Sequence, residues 1–420
     1  MEIEIGRGKK ARRAYGFDEI AIVPSRRTRD PDDIDISWKL GDYRFELPLL
    51  ASAMDGVVSP RTAGLVGRLG GLAVLNLEGV FTRYEDAEEQ LERIAKLPQE
   101  QATRAMQEIY RAPIKPELMA QRVAEIKEQG VVVAASLTPQ RVSDHYELAL
   151  EAGLDVLVIQ GTVVSAEHVS QTTEPLNLKE FIRQVGVPVV VGGCASYHTA
   201  LHLMRTGAAA VLVGVGPGAA CTTRGVLGIG VPQATAIADA AAARSQNMLE
   251  SGEYVKVIAD GGMRTGGDVS KAIACGADAV MLGSPLARAQ EAPGRGFHWG
   301  MATFHPSLPR GARVATVRNG TLEEILTGPA HENDGTFNLF GALRTSMATC
   351  GYRDIAEFNR AELMIAPALQ TEGKHLQSSQ GVGMGARGSG AVASVTGGQA
   401  ADGNGNDPSE ADEGEPVALA

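Results

Sequence analysis

The feature that most restricts how this chain can fold is a recurrence. Eight short apolar runs, rich in β-branched residues, each close on small or polar residues and are each followed by a segment of helical periodicity. They are LPLLASAM (Leu47 to Met54), GLAVLNL (Gly71 to Leu77), VVVAASL (Val131 to Leu137), DVLVIQG (Asp155 to Gly161), VPVVVGG (Val187 to Gly193), AAVLVGVG (Ala209 to Gly216), VKVIADGG (Val255 to Gly262) and AVMLGSP (Ala279 to Pro285). Strands that are apolar throughout are covered on both faces, as in a parallel sheet flanked by helices. Eight of them predict a closed (β/α)8 TIM barrel. The count alone also allows a doubly wound open sheet, but the polar residues at the carboxyl ends of the runs stand where barrels place their sites.

The segments between the runs set the organisation. Tyr84 to Gly130, between the second and third runs, reads as a long helical stretch rich in Glu, Arg, Ala and Gln, with no sign of a second domain. After the eighth run, residues 287 to 370 are too long for one helix and contain the turn formers HPSLPRG (His305 to Gly311) and VRNGT (Val317 to Thr321). They predict an elaborated loop or flap before a final helix near Arg344. Residues 1–378 are read as one catalytic domain. Residues 379–420 are Gly, Ala, Ser and acid rich with few large apolar side chains, a composition that cannot offset its ordering entropy and predicts a disordered tail.

A formal net charge of −11 argues against general affinity for nucleic acid or anionic membranes, so any phosphate must be gripped locally. No uninterrupted apolar stretch approaches the length of a membrane span, and the charged N-terminus precedes no apolar signal core. A cytoplasmic location is expected. Cys194, Cys221, Cys275 and Cys350 are scattered, without C-x-x-C spacing, and are expected to be free thiols.

The densest chemical signal is GVGPGAACTTRGVLGIGVPQ, Gly214 to Gln233, directly after the sixth run. Its glycines let backbone approach a ligand closely and put the Cys221 thiol at the barrel mouth. A nucleophilic cysteine needs its thiolate favoured, a task for which Arg224 is a candidate. The seventh and eighth runs end in ADGGMRTGGD (Ala259 to Asp268) and MLGSP (Met281 to Pro285). Loops after these two strands commonly bind phosphate through backbone amides, aided by a hydroxyl such as Ser284. Asp260 suits a ribose diol, or alternatively the N-terminus of the next helix. SAMD, Ser52 to Asp55, offers a hydroxyl, a thioether and a carboxylate, with core packing as the alternative fate of Met54.

Together, SAMD, GVGPGAACTTR with its downstream PQ, ADGG and MLGS resemble the IMP dehydrogenase / GMP reductase family over about Leu47 to Pro285, with EAPG (Glu291 to Gly294) and Gly300–Met301 extending the match. The resemblance implies a purine 5′-nucleotide substrate, attacked at C2 by Cys221 with Thr223 assisting proton transfer. It implies Asp260 on the ribose and Gly262, Gly283 and Ser284 on the 5′-phosphate, with Ser52, Met54, Gly261, Gly300 and Met301 also on the substrate. NAD(P)H or NAD would meet Gln160, Thr162, Gly214 and Gly216. The carbonyls of Gly216, Gly218 and Cys221 would match the family's potassium loop, and a homo-tetramer or octamer is implied.

Departures from the family pattern bear on the reaction. The space after the second run is too short for the regulatory CBS modules of many dehydrogenases. Ala219 stands where a phosphate-binding serine is frequent, and Gln160-Gly161-Thr162 where dehydrogenases have an Asp-Ser-Ser-like cofactor contact. The Arg-Tyr pair with which dehydrogenases activate water is absent after Met301; the flap arginine in a turn context is Arg310, before Gly311. These points favour reductive deamination of GMP to IMP, with oxidation of IMP to XMP as the alternative. The reductases' acidic partner would be Glu323 or Glu324 in ATVRNGTLEEILTGP (Ala315 to Pro329), unless these form a solvated helix face. A flavin-binding barrel and a non-catalytic nucleotide-binding protein are the competing readings from other classes.

Overall fold

The computed structural model describes residues 2–167, 176–301, 312–366 and 374–383. All eight apolar runs become parallel strands of one closed barrel. Barrel strands 1 to 8 are Leu49–Ala51, Leu72–Asn76, Ala134–Leu137, Val156–Gln160, Val189–Cys194, Ala210–Val213, Lys256–Asp260 and Ala279–Leu282. Each pairs with its sequence neighbour, and strand 8 closes on strand 1 through Val280 opposite Leu49. Their Val, Leu, Ile and Ala side chains form the buried core, which explains runs without alternation: one face packs the lumen and the other the helices.

Helix starts follow local chemistry. Ser59 accepts from the Thr62 amide at the head of Pro60–Arg68, with proline at the first helical position. Thr265 and Asp268 form a reciprocal capping box on Gly266–Ala274, so Asp260 is not that helix's cap. The expected single stretch between strands 2 and 3 is three helices, Ala87–Lys96, Gln99–Ile109 and Pro116–Lys127. Pro98, Pro113 and Pro116 interrupt it, because proline lacks the amide a continuous helix needs.

The end of the barrel opposite the mouth is plugged by the hairpin Trp38–Leu40/Tyr43–Phe45. Trp38 Nε1 donates to the Leu47 carbonyl at 2.9 Å, and the Tyr43 hydroxyl donates to Asp155 at 3.1 Å, just before strand 4.

After strand 8, the short ladder Phe297–His298/Val314–Ala315 brackets residues 299–313. The expected helix near Arg344 is Leu339–Thr349, but it is not the last: Ile355–Phe358 and His375–Gln380 follow. That last helix crosses residue 379, the expected start of the tail. His305, Arg310, Gly311 and residues 384–420 lie outside the described residues. Among the described residues no helix is long and apolar enough to cross a membrane.

Candidate active site

The carboxyl ends of the strands gather nearly every residue singled out in the sequence. In a barrel whose strand centres are buried, Ser52, Met54, Gln160, Thr162, Gly214, Gly216, Gly218, Asp260, Gly261, Gly262, Gly283 and Ser284 are half-buried, as residues lining an open mouth must be. Gly300 and Met301 share that exposure beyond strand 8.

Cys221 differs in kind from the other thiols. All four are free, but Cys194, Cys275 and Cys350 are buried and Cys221 is exposed. Burial pushes Cys194 and Cys275 up to about 12, leaving them inert near neutrality. Cys221 sits on the loop from strand 6 to the helix Thr223–Leu227, its amide bonded to the Gly218 carbonyl at 3.0 Å. Its thiol donates to Thr223 Oγ1 at 3.1 Å, and Thr223 is fully buried. The hydroxyl is therefore held in one place next to the sulfur.

The arginine considered as an aid to the thiolate does something else. Arg224 donates to the Val231 carbonyl at 2.8 Å, and its aliphatic stem lies against Gly216 and Gly230, filling the space any side chain there would need. It fastens the loop into a ring. Gly216, with φ of +81°, is required by that packing as well as by its backbone.

Gln233, the PQ glutamine, is buried and ties strands 6 and 7 together at their ends. Its Nε2 donates to the carbonyls of Val213 at 2.7 Å and Asp260 at 3.1 Å. A side chain at Gly214 would collide with that same Asp260 carbonyl, so this glycine has a packing reason. Thr222 Oγ1 and Gln233 Oε1 are buried without a hydrogen-bond partner among the described residues.

Asp260 shows part of its surface to the mouth yet is ringed by protein. Desolvation pushes its carboxyl up from 3.8 to about 7, opposed by a hydrogen bond from Gln160 Nε2 at 3.3 Å. Gln160, expected from the resemblance at the cofactor, thus reaches across the lumen to the carboxylate. Gly261 and Gly262 both have positive φ and pack on Pro217–Gly218, which locks the ADGG turn against the cysteine loop.

Opposite, Gly283 leaves room that Met54 and Ser52 border. Ser284 begins the short helix Ser284–Ala287, and its Oγ lies 2.7 Å from Nε2 of His298. His298 is almost fully buried, and desolvation pulls its imidazole down to about 4, so it is neutral at physiological pH. Sequence reading missed His298, because nothing near it in the chain marks its contact with Ser284, just after strand 8.

The carboxylate of SAMD turns inward. Asp55 is fully buried, accepting from the Val80 amide at 2.7 Å and the Tyr110 hydroxyl at 2.5 Å; Trp299 Nε1 in turn donates to that hydroxyl at 2.8 Å. Met301 Sδ is 3.6 Å from it. Asp55 therefore joins four segments rather than facing a ligand.

Of the two glutamates considered as an acid partner, one is engaged by its neighbours and the other faces solvent. Glu324 completes the capping box of Leu322–Leu326 with Thr321 and lies 2.8 Å from His331, whereas Glu323 is exposed on the helix. Arg313, also missed, is buried and spent on the carbonyls of Ile94 and Leu97, with its guanidinium 4.3 Å from the Phe297 ring.

A (β/α)8 barrel with an accessible cysteine on a glycine-rich turn at its mouth defines a class of enzyme that works through strand-end loops. The family model for the IMP dehydrogenase / GMP reductase domain matches residues 14–375. The chain belongs to this family of oxidoreductases, which act on purine nucleotides and generally use NAD(P)(H). It is 50% identical over 372 residues to a protein named uncharacterized oxidoreductase from Mycolicibacterium smegmatis, covering 86% of this chain and 99% of that relative. It is 32% identical to the inosine-5′-monophosphate dehydrogenase of Thermoplasma acidophilum, over 84% and 91% of the two chains. A crystal structure of an IMP dehydrogenase/GMP reductase-like protein from Corynebacterium glutamicum superposes with a TM-score of 0.82 at 45% identity, covering 87% of this chain and 97% of that one.

Proposed function

We propose that the protein is a purine-nucleotide oxidoreductase acting through a covalent thioimidate at Cys221, and that it runs the reductive deamination of GMP to IMP. The observation that carries this reading is the exposed thiol held 3.1 Å from a buried, fixed threonine hydroxyl at the mouth. Sulfur adds to C2 of the purine, and the 2-amino group leaves as ammonia once protonated, with Thr223 relaying the proton between sulfur and nitrogen. When bound, a reduced nicotinamide would supply the two electrons as a hydride to C2; the part of Cys221 is to carry the purine and leave as thiolate when IMP is released. Asp260 accepts from the ribose diol, while Gly262, Gly283 and Ser284 take the 5′-phosphate. Ser52, Met54, Gly261, Gly300 and Met301 complete the substrate wall.

At Gly218 the space a side chain would take is open apart from Cys221 Cβ, 4.0 Å away, and Cys221 is exposed, which supports a purine with a nicotinamide beside it reaching the thiol. Gln160, Thr162 and the backbone at Gly214 and Gly216 would hold the nicotinamide. Potassium would take the carbonyls of Gly216, Gly218 and Cys221, that of Gly218 keeping a lone pair after bonding the Cys221 amide. We also propose a single 1–378 domain with a C-terminal tail, and a cytoplasmic homo-tetramer or octamer, which sedimentation tests.

With Glu324 engaged elsewhere, the direction rests on the missing Arg-Tyr pair. GMP with NADH or NADPH is expected to lose nicotinamide absorbance and release ammonia. XMP formed from IMP and NAD, without reaction of GMP, would reverse the assignment.

A further inference from the structure

At the end of the barrel opposite the mouth, the structure brings together arginines that the catalytic site does not use. Helix Leu339–Thr349 begins beside Gly266, at the mouth end of the helix after strand 7, and so delivers Cys350 and Gly351 to the far end. Asn359 confirms the location by donating to the carbonyls of Ile273 and Ala277, just ahead of strand 8, at 2.8 and 2.9 Å. There the segment after the strand Ile20–Ile22 crosses the chain. The Arg29 amide donates to Ala348 and its Nε to the Gly351 carbonyl at 2.8 Å, while Gly351, at φ +76°, lies against the Arg27 carbonyl.

Between these segments lies a recess of about 480 Å³ lined by Arg27, Arg29, Tyr352, Arg353, Glu357 and Arg360. Four guanidiniums line it with one carboxylate, Glu357, which Arg29 also acts on, while Asp354 acts on Arg353 from beside the recess, so positive charge is in excess there in a chain whose net charge is −11. Glu357 is already bound by Arg353 through its side chain and amide. Among the described residues, Arg27, Arg29 and Arg360 form no ion pair. Like charges held together in excess of their counterions raise the free energy of the folded state, and a polyvalent anion relieves this. Guanidinium forks match phosphate oxygens two at a time.

We propose that this recess is a binding site for a small-molecule polyphosphate, remote from the mouth. Four guanidinium forks offer more donors than the oxygens of one phosphate use, whereas a di- or triphosphate engages them together and spans a recess of this size. Bound there, the ligand clamps the 24–29 segment to the turn after Leu339–Thr349, the helix that packs on Gly266–Ala274 behind the ADGG turn.

Calorimetric titration of the full chain with inorganic pyrophosphate and tripolyphosphate tests the proposal. The mouth is expected to take phosphate too, so Ser284→Ala serves as the control that perturbs only that end. We expect a site that Ser284→Ala leaves intact and that Arg27→Gln/Arg360→Gln weakens by about tenfold for each guanidinium removed. Both arginines are exposed, so the variant should fold, which an unchanged melting temperature without ligand checks. Arg27→Lys/Arg360→Lys should fall between, keeping charge but losing the fork. ATP binding more tightly than tripolyphosphate assigns the site to a nucleotide, and equal binding to an inorganic chain. Equal affinity in wild type and double Gln variant, or sulfate as tight as pyrophosphate, overturns the proposal.

Discussion

Replacing Asp260 by asparagine tests the electrostatics of the mouth directly. The carboxyl is pushed from 3.8 to about 7 by desolvation, so the folded state disfavours its charge. Below about pH 4 it is neutral folded and unfolded, and the folded state is not penalised. Between about pH 4 and 7 only the unfolded chain ionises, and stability falls with a limiting slope of about 1.4 kcal/mol per pH unit. Above pH 7 the loss levels off near a total of about 4 kcal/mol, which contact with water at the mouth reduces to about 2–3 kcal/mol. Asp260→Asn removes the titration while preserving shape and one acceptor. Urea unfolding at pH 5 and pH 8 should therefore show the variant gaining about 2 kcal/mol on the wild type between the two values. The same carboxylate is expected to accept from the ribose diol, and a bonded diol favours its charged form. Nucleotide affinity of the wild type should then rise from pH 6 to 8, and the variant should bind weakly without that rise. A wild type and variant whose stability difference is the same at both pH values would refute the reasoning.

Other expectations follow from the same geometry. A thiol reagent at pH 8 should modify one cysteine per chain quickly, because Cys194 and Cys275, at about 12, present only about one thiolate in 10⁴; a second fast thiol would contradict the burial described. Cys221→Ala should abolish turnover while nucleotide still raises the melting temperature, whereas Thr223→Val should lower kcat by about 10² with little effect on binding. His298→Ala should raise the KM for nucleotide by releasing Ser284. The change of KM between pH 6 and 8 should be the same with and without His298, since His298 titrates at about 4, well below Asp260. Tyr110→Phe removes the hydroxyl shared by Asp55 and Trp299 and should cost about 1–3 kcal/mol in chemical denaturation.

Much of the architecture was legible because it rests on short-range rules. Eight apolar runs gave eight strands, since a strand buried on both faces must be apolar throughout. Ser59, Thr265 and Thr321 head helices because a side-chain oxygen three residues ahead satisfies an orphan amide. Prolines cut the Tyr84 to Gly130 stretch into three, a signal present but not applied. The four motif segments could be assigned to strand ends, and their order alone carried the family resemblance.

What the chain's linear order could not determine is which groups meet across the barrel. Gln160 is separated from Asp260 by 100 residues and Tyr110 from Asp55 by 55, and such partners are chosen by strand order and register, not by local propensity. Arg224 and Glu324 looked available in sequence and are committed in space, the one to a carbonyl and two glycines, the other to a helix cap. Cysteine identity was visible four times over; that only Cys221 meets solvent is decided by burial. The sequence determined by itself a barrel with a cysteine at its rim, because hydrophobic period and turn chemistry act over a few residues. Tertiary structure decided which side chains remain free for chemistry, because that depends on every long-range contact each one has already made.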